Sequence, residues 1–319
     1  MATRRDSQSL LQIAVLCGGA SSERSVSLES GAAVVSALAG RGHKVTPLDP
    51  AEVDLAMVEW GRFDAAFLAL HGAFGEDGHV QTQLEGFGVS YTGSDADTSR
   101  LAFSKSASKE RFAQHNVPTP PYVLIHESDD AARIHQQAKM LGYPLVVKPD
   151  AQGSSLGVSI VQTPDELPQA LARCFHLDRF GVLEAYIAGS EWTVGLLDDE
   201  TLPLIRIETA RPFYDFYAKY EDEATEYLFD FALPAPVVKA IETAGRRAGA
   251  ALGTRGLARV DLRLDRYNQP WVLELNTIPG FTSHSLVPKA AARMGIGFGE
   301  LCERAVRTCL APAVSRPNS

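Results

Sequence analysis

The sequence predicts an α/β (α+β) protein of three successive units: an open parallel sheet flanked by helices, a central unit, and a C-terminal unit around a mixed sheet. Three observations carry this. The runs IAVLCGG from residue 13 and AAFLALHG from residue 65 are continuously apolar, as parallel strands buried on both faces are. They alternate with stretches of helical spacing, the arrangement of an open α/β sheet, whose sites lie beyond the carboxyl ends of its strands. After residue 190 the rhythm changes to alternating strands joined by short polar turns, as in hairpins.

In the first unit, residues 12–104, IAVLCGG leads through Gly18 and Gly19 into a helical stretch over 25–38, then the strand HKVTPLD and the strand AAFLALHG. The second unit, 105–184, holds a helix at 106–116, the segment VPTPPYVLI, a helix through 135–141, the strand LVVKP, a glycine-serine loop, the short strand VSIV, a helix after Pro164 and the strand GVLEAYI. The third, 185–312, opens with a hairpin over 191–208 and continues through RPFYDFYAKYEDEATEY. That stretch lacks periodicity and reads as a loop. A helix at 236–252, the hairpin VDLRLDRYNQPWVLELNTIPG and a helix from residue 298 complete it. Residues 1–11 and 313–319 read as flexible tails.

Composition bounds the function. The chain has 319 residues, 45% hydrophobic and 22% charged, which is ordinary for a globular protein of two or three domains. A net charge of −9 argues against a general nucleic-acid binder while leaving room for a local basic site. The cysteines Cys17, Cys174, Cys302 and Cys309 show no CxxC or metal spacing and read as free thiols of a reducing compartment. The opening MATRRDSQSLLQIAVLCGGA has an apolar run of about seven residues, at the lower edge of a signal segment, and Leu16 is a poor cleavage position. A first buried strand is the reading, and no run approaches the ~18 apolar residues of a membrane span. The expectation is a cytoplasmic protein with neither a nucleic-acid nor a membrane partner.

The hairpin at 260–280 carries polar groups that a plain strand does not need. Glu274 and Asn276 are two apart and share a face, as do Arg259 and Asp261. If the strands pair across 265–270, the oxygens of Asp261, Glu274 and Asn276 converge. Hard oxygen donors without His or Cys suit Mg²⁺, which takes one or two carboxylates plus substrate phosphates. The alternative is a solvated polar face.

In LVVKPDAQGSSLGVSIV, Lys148 ends an apolar strand and Gly153, Ser154, Ser155 and Gly157 follow. Glycines admit an anion to backbone amides, and serines add hydroxyl donors; a plain hairpin turn is the competing reading. The Walker pattern is absent, and CGGASSER is not a dinucleotide fingerprint. Glu184 and Glu191 flank a connector, either as acceptors for an adenine amino group and ribose hydroxyls or as exposed linker glutamates. His71 ends a strand, ahead of Glu76 and Asp77. Glu23 sits at the mouth of the first helix, as a cap or as a holder of a substrate ammonium.

Taken in order, GGASSERSVSLESG, LALHGAFGEDG, VVKPDAQGSSLGVS, YDFYAKY, GLARVDLRLD and LELNTIPGFTSHSLVP resemble the D-alanine–D-alanine ligase family of the ATP-grasp superfamily, over about residues 13–310. The resemblance implies three domains, with ATP between the central and C-terminal ones, two Mg²⁺ ions (Mn²⁺ as substitute), a homodimer and a role in peptidoglycan precursor synthesis. By the resemblance, ATP would phosphorylate one D-alanine, and the amine of a second would attack the acyl phosphate. By the same resemblance Asp261, Glu274 and Asn276 match metal ligands, and Lys105 and Lys148 match phosphate-binding lysines, beside Ser154 and Ser155 of the loop. Glu184 and Glu191 match adenine and ribose contacts, and Glu23 matches the holder of the first ammonium. Arg259 and the Gly280 amide match the stabilisers of the tetrahedral oxyanion. His71, Lys219, Ser285 and Leu286 fall in segments that receive substrate. Ser154 and Tyr220 match the link between the glycine-serine loop and the loop around residues 211–227, and both loops are lid candidates.

The chain departs from the family pattern at Ser25, Thr82, Ser104 and Ala185, which puts peripheral contacts in doubt, including a lysine contact to adenine after Glu184. Tyr220 favours the dipeptide over a ligase that takes D-lactate; D-serine as acceptor and a silent nucleotide-binding module are the other readings.

Overall fold

The computed structural model of the chain describes residues 9–198, 200–211, 217, 224–282 and 284–310. The first sheet is parallel, in the order β2 (Lys44–Leu48), β1 (Gln12–Leu16), β3 (Ala65–Leu68), with Ile13 aligned to Val45 and to Ala65. Side chains alternate along β1. Ile13 and Val15 enter one core with Val34 and Leu38 of helix α1 (Arg24–Gly40), while Ala14 and Leu16 enter another with Leu68, Val80 and Leu84. Burial on both faces is why the run had to be continuously apolar. Helices α2 (His79–Gly86) and α3 (Ala96–Phe103) follow; Asp95 caps α3 by accepting from the Thr98 amide at 2.9 Å.

The central unit starts with α4 (Lys105–Gln114). The helix expected to run to residue 116 stops at Gln114, and Asn116 turns the chain at φ 52°. Next come β4 (Tyr122–His126), α5 (Ala131–Leu141), β5 (Leu145–Pro149), β6 (Ser159–Val161), α6 (Leu167–Phe175) and β7 (Phe180–Ala185), with the strands antiparallel in the order β4-β7-β5-β6. Helix α5 starts earlier than the expected residue 135, because Asp130 caps it through the Arg133 amide at 3.0 Å. Phe112 and Val117 bury in the core of the C-terminal sheet, which anchors the start of this unit there.

The C-terminal sheet comprises β8 (Gly189–Leu197), β9 (Glu200–Thr201), β10 (Ile205–Glu208), β11 (Glu226–Leu228), β12 (Leu257–Asp265) and β13 (Pro270–Asn276), in the order β11-β10-β8-β12-β13 with β9 on β8. Expected as mixed, it pairs antiparallel throughout among the described residues. Tight turns at Asp198 (φ 50°) and Asn268 (φ 62°) join β8 to β9 and β12 to β13, and turns of that length reverse the strand. Helix α7 (Ala235–Leu252) covers one face through Ile241, Ala244 and Ala248. Helices α8 (Leu286–Arg293) and α9 (Phe298–Leu310) cover the other. Leu301 and Val306 of α9 share one core with Ile13 and Val34 of the first unit and Ile205 of the sheet. No helix is long and apolar enough to cross a membrane among the described residues.

Simple alternation along β13 fails at one point. Leu262 pairs with Val272 but Asp261 pairs with Glu274, so Leu273 is an extra residue in a bulge. Val272 and Leu275 enter the core, 0% and 3% exposed. Leu273, Glu274 and Asn276 are turned to the other side, where the cavities lie.

Candidate active site

Two adjoining cavities share Lys105, Gln152 and Glu274 in their walls. The first has apolar walls from Val146, Ile160, Tyr186 and Leu273, and charged groups from Lys148, Glu184, Glu191 and Arg263. The second, about 350 Å³, brings Glu23, His71, Arg259, Asn276, Gly280 and Ser285 around one space. An apolar slot opening onto a polar, charged chamber is what a base-plus-phosphate ligand and a small polar co-substrate together require.

The hairpin supplies the oxygen cluster. Asp261 stands opposite Glu274, and Arg259 opposite Asn276. Arg259 Nε donates to both Asp261 oxygens at 2.9 and 3.1 Å, and Nη2 donates at 2.7 Å; the Thr193 hydroxyl adds a donor at 2.7 Å. Glu274 Oε2 lies 3.8 Å from Lys105 Nζ, and Asn276 Oδ1 accepts from the Ile278 amide at 2.8 Å. No group of three or more His, Cys, Asp or Glu assembles as a metal centre among the described residues. Two carboxylates and an amide oxygen are an incomplete cage. That suits Mg²⁺ shared with phosphate oxygens.

The cations lie opposite. Ser104 caps α4 by accepting from the Ala107 amide at 3.3 Å. Asp150 then fixes the start of α4 to the glycine-serine loop, accepting from Ser104 Oγ and from the Ser106 amide, both at 2.7 Å. Lys105 Nζ donates to the Gln152 carbonyl at 2.6 Å. Lys148, at the end of β5, lies 3.0 Å from Glu184 Oε2. Glu184 is 2% exposed, which removes the linker-glutamate reading. Burial pushes its carboxyl up, but Lys109 and Lys148 outweigh that and hold it below the usual range. Glu191 pairs across the strands with Arg263 at 3.5 Å. Arg263 in turn lies 5.3 Å over the Tyr186 ring and donates to the Gly189 carbonyl at 2.6 Å.

The loop after β5 joins two antiparallel strands, so it is a hairpin connection as well as a wall of the second cavity. Ser154 and Ser155 adopt φ 53° and 58°, a left-handed conformation that non-glycine residues rarely hold. The Ser154 hydroxyl donates to Glu23. Glu23 precedes α1 but its side chain makes no capping bond; the carboxylate turns into the cavity and is 6% exposed. Gly72 and Gly153 admit it, since a Cβ at either would stand 2.8 or 2.6 Å from Glu23 Oε2.

His71 is buried, its Nε2 3.1 Å from Ser30 Oγ and its Nδ1 3.5 Å from Glu76 Oε1. Burial raises the Glu76 carboxyl, and neighbouring Glu23 adds to the rise against the His71 contact. Ser285 precedes α8 and accepts from the Thr282 amide at 3.1 Å. With Leu286 it presents the positive end of that helix to the chamber, a seat for a carboxylate. Gly280 lines the same wall, and a Cβ added there would stand 3.2 Å from Ser285 Oγ. Lys219 and Tyr220, and most of the loop proposed as a lid, lie outside the described residues.

Residues 112–307 match the family model described as D-ala D-ala ligase C-terminus. Over 304 residues the chain is 42% identical to the D-alanine–D-alanine ligase of Geobacter sulfurreducens, covering 94% of each, and over 292 residues 44% identical to that of Burkholderia orbicola, covering 91% and 93%. The chain belongs to the D-alanine–D-alanine ligase family. Its fold matches the crystal structure of the Bacillus anthracis D-alanine–D-alanine ligase complexed with ATP, with a TM-score of 0.83 at 33% identity, over 94% of this chain and 97% of that one. The Coxiella burnetii D-alanine–D-alanine ligase, 23% identical with a TM-score of 0.83, shares the fold.

Two side chains of this family member escaped the sequence reading as site groups. Lys109 and Arg263 look like surface charges in isolation, yet Arg263 lines the first cavity and Lys109 pairs with Glu184 in its wall; Glu76 was seen only by its place after His71, and it lines the second. The available signal for Lys109 was its spacing of four from Lys105, which puts both on one face of α4. For Arg263 it was the register that sets it against Glu191.

Proposed function

We propose that the chain is an ATP-dependent ligase that joins two D-alanine molecules into D-alanyl-D-alanine, with release of ADP and phosphate, for peptidoglycan precursor synthesis. The observation that carries this is the junction of the two cavities. The oxygen set Asp261, Glu274 and Asn276 and the cation Lys105 stand where an apolar slot meets a polar, charged chamber, shapes that suit a nucleotide and a small zwitterion. Family membership supports the same activity.

ATP takes the first cavity, its adenine amino group donating to Glu184, its ribose hydroxyls to Glu191, and its phosphates against Lys105, Lys148 and the Ser154–Ser155 loop. Glu23 holds the ammonium of the first D-alanine beside His71. Asp261, Glu274 and Asn276 would hold two Mg²⁺ ions, with Mn²⁺ as substitute, supplying charge neutralisation between carboxylate and phosphate. A carboxylate is a poor electrophile, and phosphorylation gives it a leaving group. The amine of the second D-alanine, its carboxylate at Ser285, Leu286 and Lys219, attacks the D-alanyl phosphate. Arg259 and the Gly280 amide stabilise the developing oxyanion of the tetrahedral intermediate. The acyl phosphate needs shielding from water, which the glycine-serine loop and the loop carrying Tyr220 provide on closing. A cytoplasmic homodimer with three domains at 12–104, 105–184 and 185–312 completes the reading; four free cysteines accord with a reducing compartment.

Phosphate release from ATP and Mg²⁺ with D-alanine, L-alanine, D-alanine plus D-lactate, or no amino acid tests it, with the product weighed by mass spectrometry. Release that needs D-alanine and yields the dipeptide is expected. Release with D-lactate preferred as acceptor, or nucleotide binding without turnover, overturns the assignment.

A further inference from the structure

A buried cation stands behind the nucleotide cavity without touching it. Lys109, one turn beyond Lys105 on α4, is 0% exposed and lines neither cavity. Its Nζ pairs with Glu184 Oε2 and donates to Thr119 Oγ1 at 2.7 Å. The Thr119 hydroxyl in turn donates to the Val272 carbonyl at 2.8 Å, and the Tyr122 ring centre lies 5.7 Å from Nζ. Lys148 reaches the same Oε2 from the cavity side at 3.0 Å. Both ammonium groups therefore converge on one carboxylate oxygen. No described residue donates to the other, Oε1, and Glu184 lines the cavity.

The two lysines have different freedom. Lys148 lines the cavity, within reach of the phosphates it is proposed to bind; Lys109 is enclosed on every side. A buried carboxylate that loses its counter-charge takes up a proton and becomes a donor as well as an acceptor. We propose that Lys109 is a positioning residue for purine selection, holding Glu184 as an acceptor with Oε1 turned to the cavity, so that an adenine amino group is taken and a guanine carbonyl oxygen is refused. The inference rests on the proposed contact of Glu184 with adenine. A fixed anion facing a carbonyl leaves two acceptors in contact with no hydrogen between them, an expensive arrangement once water is excluded.

Equilibrium binding of Mg-ATP and of Mg-GTP, measured by calorimetry without D-alanine, tests it on the full chain and on Lys109→Met, Glu184→Gln and the double variant. Lys109→Met weakens ATP about tenfold, the loss of one charge-assisted contact, and narrows the ATP-over-GTP ratio by a similar factor. Glu184→Gln narrows the ratio as well, and the double variant is no worse than Glu184→Gln alone, because the lysine acts only through the carboxylate. In turnover, KM for ATP rises while KM for D-alanine holds. An unchanged ATP-over-GTP ratio in Lys109→Met, whatever its melting temperature, reduces the residue to a structural ion pair and overturns the inference. If Lys109→Met does not fold, Lys109→Gln takes its place: a narrowed ATP-over-GTP ratio supports the inference, and an unchanged ratio overturns it. An unchanged ratio in Glu184→Gln sinks the adenine contact itself, a separable failure.

Discussion

The Ser154 hydroxyl donates to the Glu23 carboxylate across 131 residues of sequence, tying the glycine-serine loop of the central unit to the start of the first helix. The loop proposed to face phosphates and the group proposed to hold the substrate ammonium are thus one hydrogen-bonded unit. Ser154→Ala is expected to raise the KM for D-alanine about tenfold, the loss of one hydrogen bond to a charged group, while ATP binding changes little. Gly153→Ala reaches the same end by crowding, since its Cβ would stand 2.6 Å from Glu23 Oε2. Steady-state kinetics with each substrate varied separately distinguish this from a general loss; equal effects on both substrates contradict it.

Arg259 grips Asp261 through three contacts between 2.7 and 3.1 Å. A lysine keeps the charge but not the fork. Arg259→Lys is expected to lower kcat roughly 100-fold, the scale of one lost oxyanion donor. A variant with near-normal kcat places the oxyanion elsewhere.

Chelation with EDTA should abolish turnover, and added Mg²⁺ should restore it. Glu274→Gln removes one of two opposed carboxylates and should raise the Mg²⁺ concentration for half-maximal activity by at least about tenfold. Titration of activity against Mg²⁺ reads this directly; an unchanged midpoint means that Glu274 is not a ligand.

Glu76 yields a pH prediction. Its carboxyl is raised above the ordinary value by burial, so near neutrality the folded state binds a proton more readily than the unfolded chain does. Its contribution to stability is complete below the unfolded carboxyl range, about pH 4.3, and is lost as pH rises through the higher folded value. Glu76→Gln, which cannot ionise, is expected to melt above the parent at pH 7 and to lose that advantage as pH falls below about 4. Melting curves across pH that run parallel for the two proteins would rule out burial of this carboxyl as the cause.

The hairpin at the centre of the site was legible because strand alternation needs only sequence: Glu274 and Asn276 had to share a face, and the short turn had to bring Asp261 opposite. The bulge at Leu273 was not legible, because an extra residue leaves no mark until the register of both strands is known. Glu184 illustrates a different limit. Its place at the end of a strand was readable but its depth was not, since burial of a glutamate depends on two lysines arriving from α4 and β5. The extra turn of α5, by contrast, was written in Asp130, a capping residue at the right place.

Helix α9 packs on α1 and the first sheet, and Arg41 pairs with Glu303 across 262 residues. During synthesis the first sheet emerges early with the face of Ile13 and Val15 covered in part by α1, and the other helix that completes this core is made nearly last. The early unit therefore waits on the ribosome in a half-clothed state, and chaperones that recognise exposed aliphatic surface have their longest access to the Ile13–Val15 face. Ribosome-stalled chains ending before residue 298 should accordingly be protease-sensitive at β1, and chains released with α9 complete should not.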